Sequence, residues 1–145
     1  CLVGEGMSAV LPGRWVTPEE TEEIRAIFAA LGRAEVMEER LIDVVGAVSG
    51  SSPAYVYLFI EAMADAAVKG GMPREQAYRF AAQAVLGAAK MVLETGMHPG
   101  ALKDMVCSPG GTTIEAVEAL EQNGLRGAVF AAMDACMEKS RKMCK

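Results

Sequence analysis

The sequence holds few of the residues that carry most enzyme chemistry. Among 145 residues there is one histidine and one tryptophan, and aromatic residues make up 6% of the chain. A serine hydrolase has little support, because it needs a histidine base and usually a Gly-x-Ser-x-Gly elbow, which is absent. The four cysteines lie far apart and form no Cys-x-x-Cys pair, so we predict reduced thiols and no metal site.

Positive charge and uninterrupted apolar runs are also scarce. Lys and Arg number 14 against 19 Asp and Glu, and no basic cluster carries interleaved aromatics, which argues against nucleic acid as a partner. Charged residues such as Glu61 and Lys90 interrupt every run that approaches the roughly 18 apolar residues of a membrane helix, so no membrane is expected. Without a signal peptide the chain is expected to be cytoplasmic, and because it begins at Cys1 we expect a fragment of a longer protein.

Small and apolar residue types are abundant instead. Hydrophobic residues reach 52%, and with the 15 glycines they exceed the roughly 45–50% that is typical of soluble domains. The 10 methionines can fill irregular gaps, and the many alanines let helices approach closely. One domain of this length has little need of so much apolar surface, so the composition predicts an oligomer.

A short strand, helix, strand unit is predicted at the start of the chain. A strand over residues 7–11 is followed by Thr17, which with the proline and glutamates after it forms an N-cap and a capping box. The helix ends before Gly32, and alternation over residues 34–37 predicts a second strand. A unit this small cannot bury its own faces, so we interpret it as the end of an α/β sheet.

The rest of the chain has helical periodicity. The helix predicted at 73–95 is apolar almost all round, which predicts that it is buried on most sides, in part by another subunit. The predicted helices cover residues 41–48, 51–69, 73–95, 99–106, 114–122 and 125–142.

A hydroxyl-flanked double glycine precedes the helix at 114–122. Gly110 and Gly111 permit positive φ and a close backbone approach, while Thr112 and Thr113 lie where the helix begins. Free N–H groups and the positive end of the helix dipole at such a position favour a carboxylate or phosphate. The alternative is an ordinary turn before a helix, and local pattern alone leaves both open.

Other candidate motifs have plainer interpretations. The double glycine is neither a P-loop nor a dinucleotide-binding loop, because it lacks the Lys-Ser/Thr sequence and the preceding strand. His98, followed by proline and glycine, is interpreted as the N-terminal residue of a helix rather than a base or metal ligand. Glu39 sits at the junction between the sheet remnant and the helices, where clefts form.

Five blocks in order resemble pyrroline-5-carboxylate reductase, and the resemblance covers essentially the whole chain. The longest, Val-Cys-Ser-Pro-Gly-Gly-Thr-Thr-Ile, contains the double glycine. The blocks are Ser-Gly-Ser-Ser-Pro-Ala-Tyr at 49–55, Gly-Ala-Ala-Lys-Met at 87–91, His-Pro-Gly at 98–100, Leu-Lys-Asp at 102–104 and the longest one at 106–114.

The resemblance implies a mainly α fold. Family members have an N-terminal Rossmann domain that binds NADPH or NADH, followed by a helical domain through which subunits form dimers or larger assemblies. Residues 1–38 would then be the β-α-β remnant of the Rossmann domain, and residues 39–145 the all-helical dimerisation and substrate-binding domain. The main cofactor loop would be absent from this chain, so the choice between NADPH and NADH stays open.

The resemblance also implies a set of site residues. The Ser108 hydroxyl and the N–H groups of Gly111, Thr112 and Thr113 would hold the substrate carboxylate. The Thr113 hydroxyl would hydrogen-bond the ring nitrogen and act as the catalytic contact. Glu39 would touch substrate, and Met105 falls near the cofactor where some members have an Asn.

The expected function is the NAD(P)H-dependent reduction of 1-pyrroline-5-carboxylate to L-proline, the last step of proline biosynthesis. This chain would provide the dimer interface and the carboxylate loop, and alone it would be inactive. One alternative is a non-catalytic helical oligomerisation module, and another is a reductase of a related imine or 2-hydroxy acid.

Overall fold

A computed structural model gives the structure of the chain and describes residues 1–143. The chain divides into two compact units. Among the described residues, the first consists of Cys1–Ser52 together with 133–143, and the second is Pro53–Ala132.

The first unit contains the predicted strand, helix, strand arrangement. Strand β1 (Gly6–Val10) pairs in parallel with β2 (Gly32–Val36), and helix α1 (Pro18–Ala29) connects them. The α1 capping box is present: the Glu20 N–H donates to Thr17 Oγ1 at 3.2 Å, and the Thr17 N–H donates to Glu20 Oε2 at 2.9 Å. Local cap chemistry therefore starts this helix where the sequence predicts.

Gly32 allows the two strands to start side by side. It is paired with Gly6 in the sheet and has a φ of +144°. A Cβ added at Gly32 would collide with the Gly6 backbone. Glycine is therefore needed at position 32 both for its backbone conformation and for the close approach.

A continuous helical stretch follows the sheet, where the sequence predicted two separate helices. A 3-10 turn (Glu39–Leu41) leads into α2 (Ile42–Val45), a π-helical segment (Gly46–Ser51) and α3 (Ser52–Lys69).

Serine hydroxyls explain why the Ser-Gly sequence in this stretch does not break it. Ser49 Oγ donates to the Val45 carbonyl at 3.0 Å, and Ser52 Oγ donates to the Val48 carbonyl at 2.5 Å. These bonds satisfy carbonyl groups where the helix widens.

The combined stretch Glu39–Lys69 is long and apolar enough to cross a membrane, judged by length and composition only. It has 31 residues and an 18-residue window with a mean hydropathy of 1.2. One such helix is weak evidence for a membrane span, since core helices of soluble proteins meet the same criteria.

Within the first unit, the C-terminal turns of the last helix make polar contacts with the segment that follows the sheet. The last helix, α7 (Leu125–Met143), places Ser140 Oγ 2.5 Å from Asp43 Oδ1. The Cys136 thiol donates to Ser51 Oγ at 3.2 Å. Asp43 also lies 3.6 Å from Arg141 Nε, so the segment from α2 to the π-helical turns is tied to the C-terminal turns of α7.

The second unit is entirely helical. The end of α3 is joined by an Arg74–Asp65 ion pair to the start of α4 (Arg74–Thr95), which ends at Gly96 in the left-handed conformation with φ +64°. Then come α5 (Pro99–Val106), α6 (Thr112–Gln122) and the first part of α7. The predicted bounds of these helices are met within two residues, and the mainly α fold class is confirmed.

The cores of both units consist of small side chains. Val10, Ala34 and Ala47 are buried in the first unit, and Ala64, Ala77 and Ala81 in the second. No large side chain among residues 1–143 is fully buried. Phe80 on α4 is 67% exposed and Phe130 on α7 is 71% exposed. Within the single chain, helix α4 is therefore not buried on most sides. The burial predicted for this helix requires contact with a second molecule.

Candidate functional site

The double-glycine loop connects α5 to α6 and begins where α5 ends. The Cys107 N–H donates to the carbonyls of Lys103 and Asp104, both at 3.1 Å. Cys107 itself has φ −92° and ψ 86°, so the chain leaves the helical conformation at this residue. The last turn of α5 therefore fixes where the loop starts.

A tight turn forms the body of the loop. The Gly111 N–H donates to the Ser108 carbonyl at 3.0 Å, and Gly110 has φ +65°. Proline at the second position and a positive-φ glycine at the third are typical of a type II turn. The Pro109-Gly110 pair in the sequence is a signal for this turn. The Gly111 N–H, which the family resemblance assigns to the substrate carboxylate, is therefore already bonded within the turn.

Position 111 needs glycine because Ser108 packs against it, and not because of its backbone conformation. Its φ is −83°, so the prediction of positive φ is confirmed for Gly110 and wrong for Gly111. A Cβ at position 111 would collide with Ser108 Oγ and would lie 3.1 Å from the Ser108 carbonyl oxygen. The missing side chain at Gly111 thus leaves space for the Ser108 hydroxyl.

The N-terminus of α6 supplies free donors beside that hydroxyl. Gly111 is the N-cap, and no side chain caps this end of the helix. Because the first N–H groups of a helix have no acceptor within it, the N–H groups of Thr112 and Thr113 remain available to a ligand. The helix dipole adds positive potential at the same place, so the loop can bind a carboxylate or phosphate. Thr112 is exposed and Thr113 is half-buried.

Side-chain cations near the loop are already paired. Lys103 Nζ lies 2.5 Å from Asp104 Oδ1, and this hydrogen bond is the main cause of the raised pKa of Lys103. Arg126 Nε lies 2.7 Å from Glu121 Oε1, which raises the pKa of Arg126 in the same way. Attraction of an anion to this loop therefore depends chiefly on backbone N–H groups and hydroxyls.

The structure brings four of the six predicted site residues together in one segment of the second unit. Ser108, Gly111, Thr112 and Thr113 form one loop, and Met105, 69% exposed, lies on the preceding helix. Glu39 belongs to the first unit, is exposed, and begins the 3-10 turn. The substrate role of Glu39 and the cofactor role of Met105 stay predictions.

His98 lies at the N-terminus of α5, as the sequence predicted. It is the N-cap of the helix, and its Nδ1 accepts a hydrogen bond from the Gly100 N–H at 3.0 Å. Its imidazole is exposed. Within residues 1–143 no group of three His, Cys, Asp or Glu side chains could hold a metal ion.

Three of the cysteines lie in the described part of the chain. Cys1, Cys107 and Cys136 are free thiols there, and Cys144 lies outside the described residues.

The residues present do not fit the diphosphate of a nicotinamide cofactor. Such a group binds at a helix N-terminus that directly follows a strand. In the described chain a helical segment follows each strand, α1 after β1 and the 3-10 turn after β2. The first N–H groups of α1 are capped by Thr17, and its first turn carries Glu19 and Glu20. The 3-10 turn begins with Glu38 and Glu39, so carboxylates at both places would repel a diphosphate.

An apolar cavity of about 230 Å³ lies in the first unit. It contains none of the predicted site residues, and Glu35 is its one ionisable lining group. Its composition suits an apolar group rather than a carboxylate. Its other lining residues include Met7, Met37, Leu41, Val44, Val45 and Val48.

Comparison with known proteins gives a consistent result. Residues 39–143 match the family model for pyrroline-5-carboxylate reductase dimerisation. The pyrroline-5-carboxylate reductase of Escherichia coli strain K12 is 67% identical over 144 residues, which cover 99% of this chain and 54% of that protein. The Methanosarcina acetivorans enzyme of the same name is 50% identical over 143 residues, which cover 99% of this chain and 53% of that protein. The chain spans about half the length of the curated relatives it matches.

Solved structures agree with these matches. The Plasmodium falciparum pyrroline carboxylate reductase, solved with NADP bound, has a TM-score of 0.89 at 36% identity and covers 100% of this chain and 55% of its own. A pyrroline-5-carboxylate reductase from Coxiella burnetii has a TM-score of 0.93 at 34% identity, with 97% and 52% covered. With most of its length matched by the family model, this chain belongs to the pyrroline-5-carboxylate reductase dimerisation family.

Proposed function

We propose that this chain is the dimerisation and substrate-carboxylate-binding part of a pyrroline-5-carboxylate reductase. The intact enzyme reduces 1-pyrroline-5-carboxylate to L-proline with NADPH or NADH. The observation that carries the proposal is the loop from Ser108 to Thr113, in which the Ser108 hydroxyl lies beside Gly111, the N-cap of a helix that no side chain caps. We also propose that the enzyme works in the cytoplasm.

The loop would bind the substrate through its carboxylate. The Ser108 hydroxyl and the N–H groups of Thr112 and Thr113 would donate to the two carboxylate oxygens, and charge-assisted hydrogen bonds of this kind are the stronger ones. Gly111 would act by leaving space for Ser108, because its own N–H is used inside the turn. Exclusion of water around the half-buried Thr113 would strengthen these contacts.

Thr113 would orient the reacting bond. Its hydroxyl would donate to the pyrroline ring nitrogen, which fixes the C=N bond relative to the bound carboxylate and polarises it toward nitrogen. Reduction adds a hydride to the ring carbon and a proton to the nitrogen, and NADPH or NADH supplies the hydride. Catalysis in this scheme comes from positioning and electrostatics, with no covalent intermediate. On the family resemblance, Glu39 would contact substrate and Met105 would lie near the cofactor.

Assembly as a homodimer or larger oligomer is part of the proposal. Large apolar side chains on α4 and α7, such as Phe80 and Phe130, are exposed in the single chain. Burying them in water-excluded contacts would stabilise association by roughly 25 cal/mol per Å² of apolar surface. The family match to a dimerisation domain supports the same conclusion.

The test uses the full-length protein and its reduction of 1-pyrroline-5-carboxylate. We expect nicotinamide-dependent turnover and binding of L-proline in calorimetry, both weakened by Thr113→Ala. The competing function is a non-catalytic oligomerisation module, favoured by the Gly111 N–H being used within the turn. Absence of both proline binding and turnover would establish that alternative, while turnover of other imines or 2-oxo acids in preference to pyrroline would establish a related reductase.

A further inference from the structure

The helix that precedes the carboxylate loop is short. Helix α5 has eight residues and lies between Gly96, where α4 ends, and Cys107, where the loop begins. Isolated helices shorter than about 12–15 residues are marginal in water, so α5 depends on its ends and on its packing against α4. Helix α5 has little more than two turns, so loss of the first turn leaves few of its hydrogen bonds to hold the turn that precedes the loop.

His98 satisfies the donors at the start of α5. Its Nδ1 accepts from the Gly100 N–H at 3.0 Å, and its carbonyl accepts from the N–H groups of Ala101 at 2.9 Å and Leu102 at 3.2 Å. Pro99, at the first helical position, has no N–H to satisfy. The imidazole thus takes the place of the Ser, Thr, Asp or Asn that usually caps a helix.

The far end of α5 is coupled directly to the loop. The Cys107 N–H is shared by the carbonyls of Lys103 and Asp104, and the next residue, Ser108, supplies both the turn carbonyl and the hydroxyl beside Gly111. One hydrogen-bonded path therefore runs from the His98 cap through α5 to the start of α6.

We propose that His98 is a positioning residue for the Ser108–Thr113 loop. Its cap holds the first turn of α5, and through it the place of the Ser108 hydroxyl and of the Thr112 and Thr113 N–H groups. The effect on loop order stands on the structure alone. Its effect on substrate binding rests on the proposed function of the loop.

The experiment compares three variants of the full-length protein. His98→Ala removes the cap, and His98→Asn replaces it with a side chain that caps well. Thr17→Ala is the matched control, because it removes an exposed N-cap on α1, a helix of the first unit, whereas the loop belongs to the second. Each protein is studied by amide hydrogen exchange at Cys107 and Gly111, by thermal unfolding and by steady-state kinetics.

We expect His98→Ala to speed exchange of the Cys107 and Gly111 amides, which are hydrogen-bonded at the start of the loop and within its turn, about fivefold. This factor is the equivalent of an N-cap of about 1 kcal/mol. KM for 1-pyrroline-5-carboxylate should rise by a similar factor, with a smaller change in kcat. His98→Asn should restore both values. Thr17→Ala should lower the Tm without changing loop exchange or KM.

Two results would separate the parts of the proposal. Loop exchange that changes no more in His98→Ala than in Thr17→Ala would overturn the positioning role. Faster loop exchange in His98→Ala with an unchanged KM would support positioning and overturn the loop as the substrate site.

Discussion

The Oγ of Ser108 lies so close to Gly111 that it would collide with a Cβ at position 111. The two residues are also joined by the hydrogen bond from the Gly111 N–H to the Ser108 carbonyl at 3.0 Å. A side chain at position 111 would therefore displace the Ser108 hydroxyl first, because this atom is nearer to it than any backbone atom in contact.

Gly111→Ala should turn the Ser108 hydroxyl away from the loop. The loss of one hydrogen bond to a charged carboxylate costs about 1.5–3 kcal/mol, so we expect KM to rise roughly tenfold to a hundredfold. Steady-state kinetics on the full-length protein measure this. Gly87→Ala, within α4 and with no atom in the way of the new Cβ, is the control and should leave KM unchanged. Wild-type KM in Gly111→Ala would remove the Ser108 hydroxyl from the site.

Gly110→Ala should strain the backbone of the turn. Gly110 has φ +65° and open space around it, so the cost is conformational, about 1–2 kcal/mol. Gly124→Ala is a matched control, with φ +75° and equally open space at the end of α6. Thermal unfolding should show similar losses for both, while only Gly110→Ala should weaken binding of L-proline in calorimetry. Equal proline affinity for the two variants would contradict a role of this turn in the site.

Thr113→Ala should lower kcat/KM by about tenfold to a thousandfold, the range for loss of one or two good polar contacts. Thr113→Ser keeps the hydroxyl and should retain most of the activity. Kinetics with saturating cofactor separate the two variants. Equal activity of Thr113→Ala and the wild type would show that the hydroxyl does not touch the reacting ring.

Phe80→Glu should weaken self-association, because Phe80 is an exposed aromatic residue on α4. Size-exclusion chromatography with light scattering at micromolar concentration should show a dimer or larger species for the wild type and a shift toward monomer for the variant. Gln122→Glu, with the same change in charge at a polar position on α6, should not shift the distribution. A wild-type monomer would contradict the proposed assembly.

Local patterns predicted local structure well in this chain. Thr17 and the glutamates after it were enough to place α1, because cap and donors lie within four residues. The same holds for Gly96, where a left-handed glycine ends α4. In both cases the decisive hydrogen bonds connect near neighbours in the sequence.

Two predictions failed because the position of a serine hydroxyl, which the sequence does not give, decides the local structure. The Ser-Gly sequence at 49–50 suggested a break between helices, yet serine hydroxyls bonded to carbonyls four residues earlier carry the helix through. At Gly111 the sequence could not distinguish a need for positive φ from a need for space. Only the position of Ser108 Oγ decides between them.

The alanine-lined cores have a consequence for how the protein unfolds. With Ala64, Ala77 and Ala81 buried in the second unit while the phenylalanines remain exposed, one chain alone gains little free energy from burial. Folding is then thermodynamically linked to association, so the Tm should rise with protein concentration rather than stay constant. Dilution alone should therefore lower the free energy of unfolding of this protein.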